Sequence, residues 1–188
     1  MSARLDISIN IVGLPTVFTD AVAMAQIGNA VKILIVRRTQ RGTDANGRAF
    51  LGYATNPIWI STGTGRPLAP KGGTLSRTGK TMRFDGGYRE YKERSRGPGQ
   101  RPSVSTPAAS TSEVDLLLTG DLMRSIKVTE TTAETVTVAA GVGMATEYAD
   151  PVNDRREFMG IAPDDVPLLE AEATEAIRGA MRRLYGAP

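Results

Sequence analysis

The chain has 188 residues, with 23 lysines and arginines against 20 aspartates and glutamates, for a formal net charge of +3. It contains no cysteine and no histidine, which excludes disulfides, iron–sulfur clusters, thiolate zinc sites and Ser-His-Asp or Cys-His nucleophile systems. This length suits one domain over residues 1–188, and an aromatic content of only 5% leaves a core of aliphatic side chains and alanine.

No stretch approaches the about 18 consecutive apolar residues of a membrane span, and the opening MSARLDISINIVGL does not read as a signal peptide. The expectation is therefore a chain that stays in the cytoplasm where it is made. Its charge is unevenly placed. Lys71 to Arg101 holds nine basic residues against Asp85, Glu90 and Glu93, whereas Glu147 to Pro188 holds nine acidic residues against five arginines. A basic middle and an acidic end suit head-to-tail contact between copies, and the middle would equally suit nucleic acid.

Arg4 to Ile11 alternates, with Leu5, Ile7, Ile9 and Ile11 on one side, which predicts a half-buried strand. Gly13 and Pro15 punctuate it. Thr16 to Arg41 predicts a long helix, because Val17, Ala21, Met24, Ala25, Val31, Leu34 and Ile35 recur at three- and four-residue steps. Arg37, Arg38 and Arg41 complement the macrodipole at its end, and Gly42 stops it. Gly28 inside that helix marks either close packing or nothing.

From Gly42 to Ser112 periodicity fades, and nine of the twenty glycines fall between Gly63 and Gly99. One short helix is predicted at Gly87–Arg94. Residues 63–112 otherwise read as an extended Gly/Pro/Ser-rich arm or loop. Leu116 to Ser125 is a short helix or turn. Ile126–Thr129 and Thr135–Ala140 form a hairpin, with Ile126 and Val128 facing Val136 and Val138. Gly141 to Ala149 continues as an irregular strand. Asp164 to Leu184 is a second long helix with Leu169, Ala173, Ile177, Ala180, Met181 and Leu184 as its apolar stripe. The outline is α+β: a small antiparallel sheet packed with two long amphipathic helices, plus the long irregular loop.

Motifs of catalysis and ligand binding fail one by one. GGTLSRTGKT lacks the glycine spacing and the preceding strand of a phosphate loop. Gly141-Val142-Gly143 lacks the third glycine and following helix of a dinucleotide fingerprint. Glu147, Asp150, Asp154 and Glu157 match no ordered cation loop, and Arg155 and Arg156 interrupt them. No catalytic residue, cofactor or metal is expected, and the chain is not read as an enzyme. The basic stretch, with Tyr88 and Tyr91 among Arg83, Arg89, Lys92, Arg94 and Arg96, fits a protein–protein surface first and a DNA contact second.

Three stretches in order resemble the phage virion morphogenesis family, the tail-completion or head–tail joining proteins of Mu-like and related tailed phages. Val114-Asp115-Leu116-Leu117-Leu118-Thr119-Gly120-Asp121-Leu122-Met123-Arg124-Ser125-Ile126 is similar to the family's element of leucine, threonine-glycine, leucine and serine-isoleucine. Tyr148-Ala149 is similar to its tyrosine-alanine pair, although Asp150-Pro151 replaces the histidine and glycine that follow. Arg156-Glu157-Phe158-Met159-Gly160-Ile161, followed by Pro163-Asp164-Asp165, is similar to its entry into the C-terminal helix. Gly87 to Lys92 fits a tyrosine- and lysine-bearing segment of some members. The resemblance implies a virion structural protein that forms a homo-oligomeric ring, commonly hexameric. It implies a head connector or stopper on one side and a tail terminator or tail tube on the other, with genomic DNA passing through the lumen. A tail-terminator or head-stopper role in the same particle is the alternative reading. A DNA-binding protein using residues 71–101 is the alternative outside that class. The interface expected on these grounds comprises Arg83, Tyr88, Arg89, Tyr91, Lys92, Arg94, Asp121, Arg124, Asp154, Arg155, Arg156 and Phe158.

Overall fold

The computed structural model describes residues 4–8, 20–63, 70–96, 116, 121–132, 134–141 and 146–186. The architecture is α+β, as the sequence pattern predicts. Strand β1 (Arg4–Ser8) and the hairpin β5 (Lys127–Thr131) and β6 (Thr135–Ala139) form an antiparallel sheet in the order β1-β6-β5. Val128 pairs with Val138, as expected. Val136, however, pairs with Thr131 across the hairpin because a bulge between Val128 and Glu130 shifts the register. Ile126 lies buried just before β5. On the far side of β6, Leu5 and Ile7 stand opposite Val138 and Val136. The expected residues 9–11 of the first strand fall outside the described residues.

Helix α1 (Ala21–Gln40) lies on β5 and β6, and helix α5 (Val166–Tyr185) lies along α1. The two long helices are thus stacked on each other, with α1 between the sheet and α5. That explains why α1 buries more than a stripe: Ala23, Met24, Ile27, Gly28, Val31, Ile35, Arg38 and Thr39. Residues 16–19 of the predicted helix are outside the described residues, and Asp20 caps the observed one. Its carboxylate accepts the amides of Val22 (2.8 Å) and Ala23 (3.1 Å). The helices run antiparallel, pinned at both ends by Arg183–Asp20 (3.0 Å) and by the buried Arg38–Asp165 pair.

Within the 63–112 region, residues 70–96 depart from the arm expectation. Strands β2 (Ile58–Ser61), β3 (Thr74–Leu75) and β4 (Thr81–Phe84) form a second antiparallel sheet in the order β2-β4-β3. Helix α2 (Gly87–Arg96), close to its predicted bounds, packs on β4. Phe84 and Tyr91 meet edge to face at 5.3 Å in a small core of their own. Residues 64–69 and 97–112 lie outside the described residues. Two of the glycines that read as looseness are required here by contact. A Cβ at Gly73 would lie 2.4 Å from the Arg83 carbonyl oxygen. Gly87 has φ +69°, and a Cβ there would lie 2.4 Å from the Ala54 carbonyl oxygen.

A second correction concerns Gly141 to Ala149, of which residues 142–145 lie outside the described residues. Gly141 (φ +83°) ends β6, and Thr146–Arg155 forms helix α4 instead of a strand. Ala149 and Val152, three apart, face the core as a helix requires. A four-residue helix α3 (Asp121–Arg124) precedes β5, and a 3-10 turn at Pro163–Asp165 leads into α5. Among the described residues, no helix is long and apolar enough to cross a membrane.

Candidate assembly interface

Helix α2 carries five of the twelve residues of the expected interface, and the structure divides them sharply. Tyr91 and Lys92 are buried, 4% and 1% exposed, and so belong to the interior. Lys92 reaches the hydroxyl of Tyr53 and places its ammonium 4.4 Å from that ring's centroid. Tyr88 is half-buried against Tyr53 (5.4 Å) and Tyr91 (5.8 Å). Arg89 and Arg94 are exposed, but each bonds along its own helix, to Glu93 (3.2 Å) and Glu90 (2.9 Å). Arg94 also bonds the Gly72 carbonyl, which ties α2 to the β3 approach. Arg83 is exposed on β4 beside Asp85 (2.8 Å) and Trp59 (5.8 Å to the ring).

Tyr53 is the residue that sequence reasoning passed over. It sits in a stretch with no period, yet three candidate residues converge on its ring: Tyr88, Lys92 and Arg156 (5.8 Å). Only the contact between distant segments singles it out.

The segment after α4 is a second convergence point, and it too faces inward. Phe158 is fully buried in the main core. Asn153 at the end of α4 accepts the amides of Phe158 (3.1 Å) and Met159 (2.9 Å). Arg38 donates to the carbonyls of Phe158 (2.8 Å) and Gly160 (2.9 Å) while pairing with Asp165. Glu157 accepts from the Ala45 amide (2.7 Å) through its carbonyl and from Asn46 (3.0 Å) through its carboxylate. Arg156 reaches the carbonyls of Leu51 and Gly52, both at 3.4 Å. Phe158 is therefore internal and the half-buried Arg156 fastens one segment of the chain to another, whereas their neighbours Asp154 and Arg155 are exposed on α4.

Asp121 and Arg124 form an ion pair across α3 (2.6 Å) at the surface. Beneath them Leu122, Met123 and Ile126 are buried, and Ser125 links two segments. The Ser125 hydroxyl donates to the Leu122 carbonyl (2.7 Å) and accepts the Gly141 amide (3.0 Å), joining the turn to the end of β6.

No protein-family model, curated protein or solved structure matches this chain. What the surface can do is therefore argued from its own residues. The predicted stripe of α5 splits in two. Ala176 and Ala180 are buried, and Leu169 and Ala173 pack on the core. Met181 and Leu184, one helical turn apart, are 38% and 58% exposed. Ile177 is half-buried one turn earlier, and Tyr185 is 74% exposed. Val22 on α1 is also open to solvent at this end, near the Arg183–Asp20 pair. This apolar strip, with charged Asp154 and Arg155 and the α3 ion pair elsewhere on the surface, is chemistry for association. Among the described residues no three carboxylates gather as a metal site would require.

Burial of the Asp20 carboxylate opposes its ionisation. The amide of Ala23, the Arg183 guanidinium and the amide of Val22 outweigh that effect and hold its carboxyl below the ordinary aspartate value. Asp20 is thus a charged tie between the start of α1 and the end of α5.

Proposed function

We propose that this chain is a structural subunit of a tailed-phage neck. It forms a homo-oligomeric ring, hexameric in this reading, that completes the tail and joins it to the head connector or stopper. A tail terminator or tail tube protein lies on its other side, and genomic DNA passes through the lumen. The subunit works in the virion after assembly in the host cytoplasm, and its chemistry is packing instead of catalysis.

The observation that carries this reading is the uncovered part of the α5 stripe. Ile177, Met181 and Leu184 keep the spacing of a buried face, yet Met181 and Leu184 stay in water when the chain folds alone. A sister copy covering that strip gives it the burial its periodicity calls for. The resemblance to the virion morphogenesis family supports the same role. Its turn-and-hairpin element corresponds to α3, Ser125 and β5, and its arginine-aromatic element corresponds to the hub at Arg156 and Phe158 that feeds α5.

Native mass spectrometry of the purified protein tests the proposal. A closed ring is expected for the wild type, and M181E/L184E is expected to run as a monomer with unchanged far-ultraviolet circular dichroism. A wild type that stays monomeric at high protein concentration and is missing from assembled particles would sink the reading.

A further inference from the structure

The second sheet has a face that the proposed ring does not account for. Register alternation sends Ile58, Ile60, Met82 and Phe84 to one side, toward α2. It sends Trp59, Arg83 and Thr74 to the other, in one row across all three strands. Trp59, the sole tryptophan of the chain, is 57% exposed there. The hairpin that joins β3 to β4 closes through Ser76 and Gly79 (2.9 Å) and carries Arg77 and Lys80 at its tip. Lys71 lies just before β3. Lys71, Arg77 and Lys80 are exposed and form no ion pair among the described residues.

Residues 45–84 contain no aspartate or glutamate, so the sheet and its hairpin carry no negative charge, and Asp85 is the first carboxylate after them. The arginines of α2 are different, since Arg89 and Arg94 are neutralised along the helix and Lys92 is buried. The unpaired positive charge therefore sits on Lys71 and the β3–β4 hairpin, and Arg83, paired with Asp85, lies beside the open aromatic ring. An exposed tryptophan beside an arginine, on a sheet whose hairpin carries further cations, is complementary to a chain of phosphates bearing unstacked bases. A protein partner would need a matching acidic surface, whereas a nucleic-acid strand supplies both the charge and the flat ring at every nucleotide.

We infer that the β2-β4-β3 face binds single-stranded nucleic acid, with Trp59 stacking on a base and Lys71, Arg77, Lys80 and Arg83 holding the backbone. This inference does not depend on the ring. Arg83 exchanges Asp85 for phosphate on binding, and Trp59 exchanges Arg83 for a base.

The test uses the full-length protein and a thymidine oligonucleotide longer than the about 4–16 nucleotides such a platform holds. Tryptophan emission, which comes from Trp59 alone, is expected to fall on titration. Affinity is expected to drop roughly 50-fold for a fourfold rise in salt if four phosphates are met. R77E/K80E is expected to abolish binding with its circular dichroism unchanged. W59A, followed by anisotropy of a labelled strand, is expected to bind roughly tenfold more weakly. The inference is overturned by unchanged emission at saturating oligonucleotide, or by wild-type affinity in R77E/K80E. It is also overturned by duplex binding that leaves Trp59 emission untouched, or by quenching that follows protein concentration alone, which would assign the face to a second copy.

Discussion

A methyl group added at Gly28 would lie 2.4 Å from Val136 Cγ2 and 3.0 Å from Val128 Cγ2, inside the contact between α1 and the hairpin. Alanine there would gain about 1 kcal/mol of helix propensity. It would also force the helix off the sheet or the valines off their rotamers, at a cost of about 1–3 kcal/mol. The second effect wins because both neighbours are β-branched side chains held on a paired strand. Gly28→Ala is therefore expected to lower the urea midpoint, and G28A/V136A to lose less than the two single losses combined. Simple additivity in that cycle would show that the approach is not tight. At Arg38 the same economy of space takes an electrostatic form. One guanidinium serves a carboxylate and two carbonyls at the point where α1, the Phe158 segment and α5 meet. A buried pair of this kind adds little net stability, but removing one partner costs about 3–5 kcal/mol, so it fixes register more than it adds strength.

At the scale of elements, α1 and α5 are joined by ties at opposite ends, and the Asp20–Arg183 tie titrates. Because the folded-state pKa of Asp20 is lowered, its contribution is complete above the ordinary aspartate pKa and is lost as pH falls through the lowered value. Asp20→Asn keeps a capping side chain but removes the charge. Between neutral pH and the acid range, the Tm of the wild type is expected to fall more than that of D20N, and the two curves to converge at the acid end. Parallel curves would mean that the carboxylate is silent. The C-terminal ends of both long helices were legible in the sequence, as were α2 and the hairpin, because basic last turns, terminal glycines and β-branched runs are local signals. The start of α1 was not, since the apolar period runs back to Thr16 whereas Asp20 is an extended cap. The strands β2, β3 and β4 were not. They are two to four residues long, too short for a period of two to register, and glycines placed by contact gave the same composition as a loose arm. Among the candidate residues, the exposed charges of α2 and α3 were legible as charges. The inward turn of Tyr91, Lys92 and Phe158 and the contacts of Arg156 were not, because Tyr53, Arg38 and Ala45 lie far away in the sequence.

For the molecule as a whole, the question is how two separate sheets with separate cores act together. The main core holds α1, α5 and the hairpin, and the smaller one holds Phe84 and Tyr91 beneath β4. Between them runs the 43–56 segment, fastened to the α4 end by Glu157 and Arg156. Tyr53 forms the junction, taking Lys92 and Tyr88 from the small sheet's helix and Arg156 from the main body around one ring. A cation–π contact contributes about 0.5–2 kcal/mol according to its desolvation, and the two carbonyl bonds of Arg156 are long. The coupling is therefore modest and concentrated on few atoms. Tryptophan emission reports the small sheet through Trp59, while far-ultraviolet circular dichroism is dominated by the two 20-residue helices of the main body. The wild type is expected to unfold with coincident midpoints by both probes. Arg156→Ala is expected to separate them, with the tryptophan transition moving to lower denaturant and the circular dichroism transition moving little. Coincident transitions in R156A would place the coupling elsewhere along the 43–56 segment, and the Tyr53 junction would then be packing without consequence for cooperativity.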